Sequence, residues 1–227
     1  VSFDFIDDFI DRIPDRLKSD LVYEKFEPFN PLSTRKEPII EILKNEEMLL
    51  SYPYDSMEPF LNLLETASED ERVKEIRITI YRLSSNPRIA EYLMKAARNG
   101  KRVKVLIELR ARFDEEHNIE WAERFKEAGC RVYFGNDDYK VHGKLCQIVL
   151  KENGEESYIT HLSTGNFNEK SAKLYTDFAF MTSDRRIGED ADELFGRLIK
   201  GKTATCKHLA VAPETLYDTL IRYIRRE

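Results

Sequence analysis

Val103-Lys104-Val105-Leu106-Ile107-Glu108-Leu109 is nearly continuous in apolar residues, the mark of a strand buried on both faces of a parallel sheet. Upstream, Ile89, Leu93, Ala96 and Ala97 recur at helical spacing, and Gly100 follows where a left-handed C-cap is favoured. Before that helix, Ile76, Ile78 and Ile80 alternate with Arg77, Thr79 and Tyr81, which predicts another strand ending at Arg82. Downstream, the pattern predicts a helix from about Ile119 to Ala128, stopped by Gly129, and a short strand over Cys130 to Phe134. Strand, helix, strand, helix, strand at these spacings demands crossovers, and the expected fold class is α/β with a mixed, largely parallel sheet flanked by helices.

In such a sheet the loops after the strands share one edge, and ligands bind outside the carboxyl ends of the strands. Arg82 follows the first strand, Arg110 and Arg112 the second, and the loop from Asn136 to His142 the third. Independent segments therefore deliver cationic groups to one rim, which points to an anion pocket. At the end of that loop stands Val141-His142-Gly143-Lys144, entering a strand from Leu145 to Lys151. Residues i and i+2 of a strand share a face, so an imidazole and an ammonium project together, a pairing suited to chemistry on an anionic phosphorus centre. Asn153-Gly154 is a tight-turn dipeptide, and the returning strand, Ser157 to Leu162, leads into Ser163-Thr164-Gly165-Asn166. Small and hydroxyl-bearing residues let backbone amides approach phosphate oxygens, and Asn166 can donate a side-chain hydrogen bond. Asp177, opening a further apolar strand, is the candidate to orient His142 through its second ring nitrogen. His161 reads as structural, and His117 and His208 have no supporting context.

The rest of the 227 residues bounds this reading. A formal net charge of -6 argues against a nonspecific nucleic-acid binder, so an anion site must be local. Cys130, Cys146 and Cys206 are too scattered for a disulfide framework or a zinc site; they fit a reducing cytosol, and they read as small buried hydrophobes. No apolar run reaches the ~18 residues of a membrane span. Residues 1–50, punctuated by Pro14, Pro28, Pro31 and Pro38, read as a linker or wrapping arm ahead of a regular domain over 51–227. Asp55 and Glu58 resemble a capping box ahead of Phe60, Leu61, Leu64 and Ala67. A last helix from near Pro213 is expected to bury Leu216, Leu220, Ile221 and Ile224.

Taken in order, Tyr54-Asp55-Ser56, Tyr81-Arg82, Ala111-Arg112-Phe113-Asp114-Glu115-Glu116, Val141-His142-Gly143-Lys144, His161-Leu162-Ser163-Thr164-Gly165-Asn166 and Leu174-Tyr175-Thr176-Asp177 carry a resemblance. The chain resembles the ATP-dependent polyphosphate kinase family, specifically the first of two phospholipase D-like catalytic domains in the C-terminal half of those enzymes. The phospholipase D pattern is degenerate, with Val149 where that superfamily has an aspartate.

The resemblance implies that His142 attacks the γ-phosphate of ATP, becomes phosphohistidine and passes the group to a polyphosphate chain, with Lys144 and Asp177 as catalytic partners. Ser163, Thr164, Gly165 and Asn166 are expected to bind phosphate, and Tyr175 to contact the nucleotide base. Arg82 and Arg112 match arginines of the phosphate and Mg²⁺ site; an arginine has no free lone pair, so their expected role is to hold the phosphate oxygens that bind the metal. The resemblance further implies a missing second catalytic domain, weak turnover by the isolated chain, and a cytoplasmic protein, with homo-oligomerisation and membrane association of the parent left open. Two other classes stay open: a phospholipase D-type phosphodiesterase completed by homodimerisation, and a noncatalytic phosphate- or polyphosphate-binding module.

Overall fold

The structure, a computed structural model, describes residues 5–227 except 22, 25, 85, 86, 112–114, 137 and 138. Two short helices, α1 (Phe5–Arg12) and α2 (Asp15–Leu21), come first. They precede α3 (Ile39–Asn45), β1 (Met48–Tyr52), α4 (Glu58–Glu69), β2 (Val73–Ile80) and α5 (Arg88–Arg98). Then come β3 (Arg102–Ile107), α6 (Glu115–Glu127), β4 (Arg131–Phe134), β5 (Lys144–Glu152), β6 (Glu155–Ser163), β7 (Asp177–Thr182), α7 (Arg185–Leu198) and α8 (Leu216–Arg226).

The seven strands form one sheet in the order β1-β7-β6-β5-β2-β3-β4. The unit read first in the sequence, β2-α5-β3-α6-β4, is parallel throughout, with Ile78 beside Val105 and Val105 beside Val132. The balance of the remaining sheet departs from the expectation of a largely parallel one, because β2–β5, β5–β6, β6–β7 and β7–β1 are all antiparallel. The physical reason is connection length. Asn153 and Gly154, at φ 51° and 89°, close β5 onto β6 in a two-residue turn with both central residues left-handed, a connection that only antiparallel neighbours can have.

Helices cover both faces. On one, α3, α4, α5 and α6 build the main core, in which Phe60, Leu64, Ile78, Leu93, Val105 and Phe125 are sealed from solvent. On the other, α7 packs Ala191 and Phe195 against Leu106, Val141 and Leu145 in a smaller core. Burial alternates along β5 accordingly: Leu145 faces the α7 side, while Cys146, Ile148 and Leu150 face the main core. Cys130 and Cys146 are buried free thiols, as read from the sequence, and Cys206 is half-buried.

Three expectations are corrected. The 1–50 stretch is not all arm: Ile39, Ile40 and Leu43 lie in the main core, and β1 pairs along its whole length with β7. Proline punctuation hid a helix of only two turns, too short for a periodic signal. Asp55 and Glu58 make no capping box, since the Asp55 carboxylate accepts the Ser51 N–H at 2.7 Å and Ser56 Oγ accepts the Glu58 N–H at 3.1 Å. In α8 no residue is buried, and Leu220 and Ile224 stay exposed.

His161, on the returning strand β6, is buried, as the sequence reading expected. Its ring stacks on Phe60 with centroids 4.1 Å apart and lies 5.2 Å from the Phe167 ring. Neither ring nitrogen has a hydrogen-bond partner, so burial holds the group neutral and takes its pKa from 6.5 down to about 3. Below pH 6.5 the unfolded chain takes up a proton that the folded chain refuses, so stability falls with pH by roughly 1.4 kcal/mol per unit in that window. His161→Leu is expected to shed this part of the acid sensitivity, and equal acid slopes for the two proteins in urea melts between pH 7 and 5 would contradict it.

Candidate active site

The carboxyl-terminal ends of β2 and β3 meet the start of β5 and the exit of β6 at one edge of the sheet. Thr79, near the end of β2, donates its hydroxyl to the Gly143 carbonyl at 2.6 Å and accepts the Leu145 N–H at 3.0 Å. Glu108, just past β3, accepts the Val141 N–H at 2.8 Å. Lys144 lies opposite Ser163 in the β5–β6 register, so the hairpin does return the Ser-Thr-Gly-Asn loop beside the His-x-Lys segment.

His142 and Gly143 are exposed, whereas Lys144 is buried to all but 7% of its surface. The Lys144 ammonium donates to the His142 carbonyl at 2.6 Å and sits 3.0 Å from the imidazole nitrogens. Tyr81 is wedged among the cationic groups. Its ring meets His142 edge to face at 5.0 Å, with Lys144 Nζ 5.4 Å and the Arg82 guanidinium 5.8 Å from its centroid. Burial, followed by the Lys144 and Lys140 ammoniums, holds His142 below its ordinary pKa. Burial also lowers Lys144 to about 8, against the opposing pull of the Asp177 charge. Near neutral pH the edge therefore presents a neutral imidazole, with a lone pair available, beside a positive charge. That combination suits nucleophilic attack on an anionic phosphorus centre.

The exit loop is tightly knit. Thr164 Oγ1 donates to Asp177 Oδ1 at 2.7 Å and accepts the Phe178 N–H at 2.9 Å, while Ser163 Oγ donates to the Phe178 carbonyl at 3.1 Å. A Cβ on Gly165 would come within 2.4 Å of the Asp177 carboxylate, so glycine is required by close approach there. Asn166 Oδ1 is buried without a partner. Asp177 hence faces Thr164 and Gly165, and no hydrogen bond joins it to His142 among the described residues; its influence at the site is its charge, felt by Lys144. Tyr175 is exposed beside an equally exposed Leu174. Arg112 lies outside the described residues.

Sequence reasoning missed Thr79, Tyr81 and Glu108 as parts of this edge. Glu108 could have been found as the acidic residue in an otherwise apolar run, where a buried polar side chain needs a partner; Thr79 sits in a strand that alternates with polar residues and gave no such signal.

Residues 38–204 match the family described as "Polyphosphate kinase C-terminal domain 1". The chain belongs to the polyphosphate kinase family. A polyphosphate kinase of Pseudomonas aeruginosa is 42% identical over 210 residues, which is 92% of this chain and 30% of that protein. The crystal structure of the polyphosphate kinase from Porphyromonas gingivalis superposes with a TM-score of 0.80 at 34% identity, covering 94% of this chain and 36% of that one. Nuc from Salmonella typhimurium, a phospholipase D family member, gives a TM-score of 0.53 at 15% identity over 71% of this chain, a similarity of fold alone. The fold of the α/β domain is thus like that of this phospholipase D family member. The chain spans about 30% of the length of the curated polyphosphate kinases it matches.

Proposed function

We propose that this chain is the phosphohistidine-bearing catalytic domain of a longer polyphosphate kinase, which reversibly transfers the γ-phosphate of ATP through His142 to the end of a polyphosphate chain. The observation that carries the reading is the pairing of an exposed, neutral imidazole with the buried Lys144 ammonium 3.0 Å away. In this reading Nε2 or Nδ1 of His142 attacks the γ-phosphorus as the β–γ bridging oxygen leaves with ADP. Lys144 and Arg82 hold the equatorial oxygens, whose negative charge must be stabilised throughout the transfer. Arg112 joins them, the Ser163 to Asn166 loop offers amides and hydroxyls to the chain phosphates, and Tyr175 takes the nucleotide base. Asp177 acts by its charge on Lys144, which favours the protonated ammonium.

Mg²⁺ enters this scheme with its nucleotide. Among the described residues no group of three or more His, Cys, Asp or Glu could hold a metal. Mg²⁺ readily takes phosphate oxygens and water, so it suits a site whose side chains are cationic and grip those oxygens. The second catalytic domain supplies the rest of the pocket, and the protein is cytoplasmic.

Full-length protein incubated with ATP and Mg²⁺ is expected to make acid-insoluble polyphosphate, and the 227-residue chain alone to make little or none. Efficient synthesis by the isolated chain would overturn its assignment as an incomplete site. Diester cleavage without ATP would replace the kinase reading with a phosphodiesterase.

A further inference from the structure

Glu108 is an acidic residue within the nearly continuous apolar run from Val103 to Leu109, and only 2% of its surface reaches solvent. A buried carboxylate is costly unless its oxygens are satisfied by donors, and here both are. Oε1 accepts the Arg110 N–H at 2.9 Å and lies 3.6 Å from the Arg110 guanidinium, while Oε2 accepts the Val141 N–H at 2.8 Å. One side chain therefore ties Arg110, just past β3, to the residue immediately before His142. Its backbone is fixed in turn. The Glu108 N–H donates to the Ile80 carbonyl at 2.9 Å, and the Asn118 amide bridges the Tyr81 and Glu108 carbonyls at 3.0 and 2.9 Å. The segment that carries His142 has no regular structure of its own. It is held on one side by Glu108 and on the other by Thr79 at Gly143 and Leu145.

We infer that Glu108 is a positioning residue for the phosphoryl-transfer step, a buried carboxylate that sets the segment carrying His142 in register with Arg110. The inference rests on the kinase reading. Glutamine is nearly isosteric but offers one acceptor oxygen and an NH2 donor. In Glu108→Gln one of the two N–H groups, Val141 or Arg110, faces another donor, and the segment before His142 loosens. Misplacement by about 1 Å costs on the order of 10²-fold in rate. The loss falls on the transfer step, because Glu108 lies behind the reacting groups and touches no substrate.

The test uses the full-length protein. Glu108→Gln is expected to fold, to form phosphohistidine from ATP about 10²-fold more slowly in kcat with KM for ATP within roughly threefold of wild type, and to exchange the Val141 amide faster. Gly135→Ala provides a second variant, in which the carboxylate is kept but the new Cβ would press on Glu108 Oε2 at 3.1 Å and Val141 Cγ2 at 3.2 Å. A smaller fall in kcat, again with KM held, is expected. An unchanged kcat in Glu108→Gln, or a change confined to KM, overturns the inference; should that variant not fold, the same outcomes in Gly135→Ala decide it. A wild-type protein that never takes phosphate on histidine would instead sink the kinase reading, and the exchange rate of the Val141 amide would still report whether Glu108 holds the segment.

Discussion

Replacing Lys144 with methionine is expected to slow phosphoryl transfer to His142 by about 10²- to 10³-fold, the loss typical of removing one preorganised charge-stabilising donor. The side chain is buried, its ammonium is held by the His142 carbonyl at 2.6 Å, and it lies within reach of whatever the imidazole attacks. Methionine keeps the volume and loses the charge. The same group fixes the alkaline pH limit. With a pKa lowered to about 8 by burial, Lys144 is charged below that pH and loses its charge as pH rises through it, so kcat/KM falls on the alkaline side. His142, also held below its ordinary value, stays neutral down past 6.5 and sets the acid limb below that. Lys144→Arg keeps a permanent charge; it is expected to remove the alkaline fall even where its different shape lowers the rate. Activity of Lys144→Met within about twofold of wild type would show no lost transition-state stabilisation and would exclude Lys144 from the chemistry.

Phe60→Ala is expected to cost on the order of 3–5 kcal/mol of stability, the range for a phenylalanine truncated in a core. Phe60 on α4 is fully buried and packs on both His161 and Phe167, with centroids 4.1 and 5.0 Å away. Few domains have more than about 5–15 kcal/mol in hand, so the variant sits near its unfolding threshold at ambient temperature. The cavity also opens beneath Phe167, which follows directly on the Ser163 to Asn166 loop, and links core packing to the phosphate-binding edge. Urea melts give the number, and a loss below about 1 kcal/mol would mean that the rings repack without Phe60.

What the sequence revealed, and what it hid, follows from the range of the interactions. The β2-α5-β3-α6-β4 unit was legible because burial on both faces leaves an apolar run, and Gly100 and Gly129 stop the helices at φ 81° and 93°. The hairpin was legible from Asn153-Gly154, and with it the meeting of Lys144 and Ser163. Contributions from a distance were not. Ile39, Ile40 and Leu43 look like part of a proline-rich arm until α4 is placed beneath them, and the leucines of α8 look like core although none of them is buried. At the site, His142 and Lys144 stood out by chemistry and spacing. Asp177 was assigned to His142 because carboxylates commonly orient imidazoles, but the close approach of Gly165 and the Thr164 hydroxyl claim it instead. Thr79 and Glu108 act through backbone groups of another strand, a role that residue type alone does not reveal.

The most direct test is the site of phosphorylation. Full-length protein, treated with ATP and Mg²⁺ and kept at alkaline pH to preserve a phosphoramidate, should carry phosphate on His142 by peptide mass spectrometry, and should lose it when polyphosphate is added as acceptor. Polyphosphate synthesis that continues with no phosphate on His142, or that survives His142→Ala, would contradict the account.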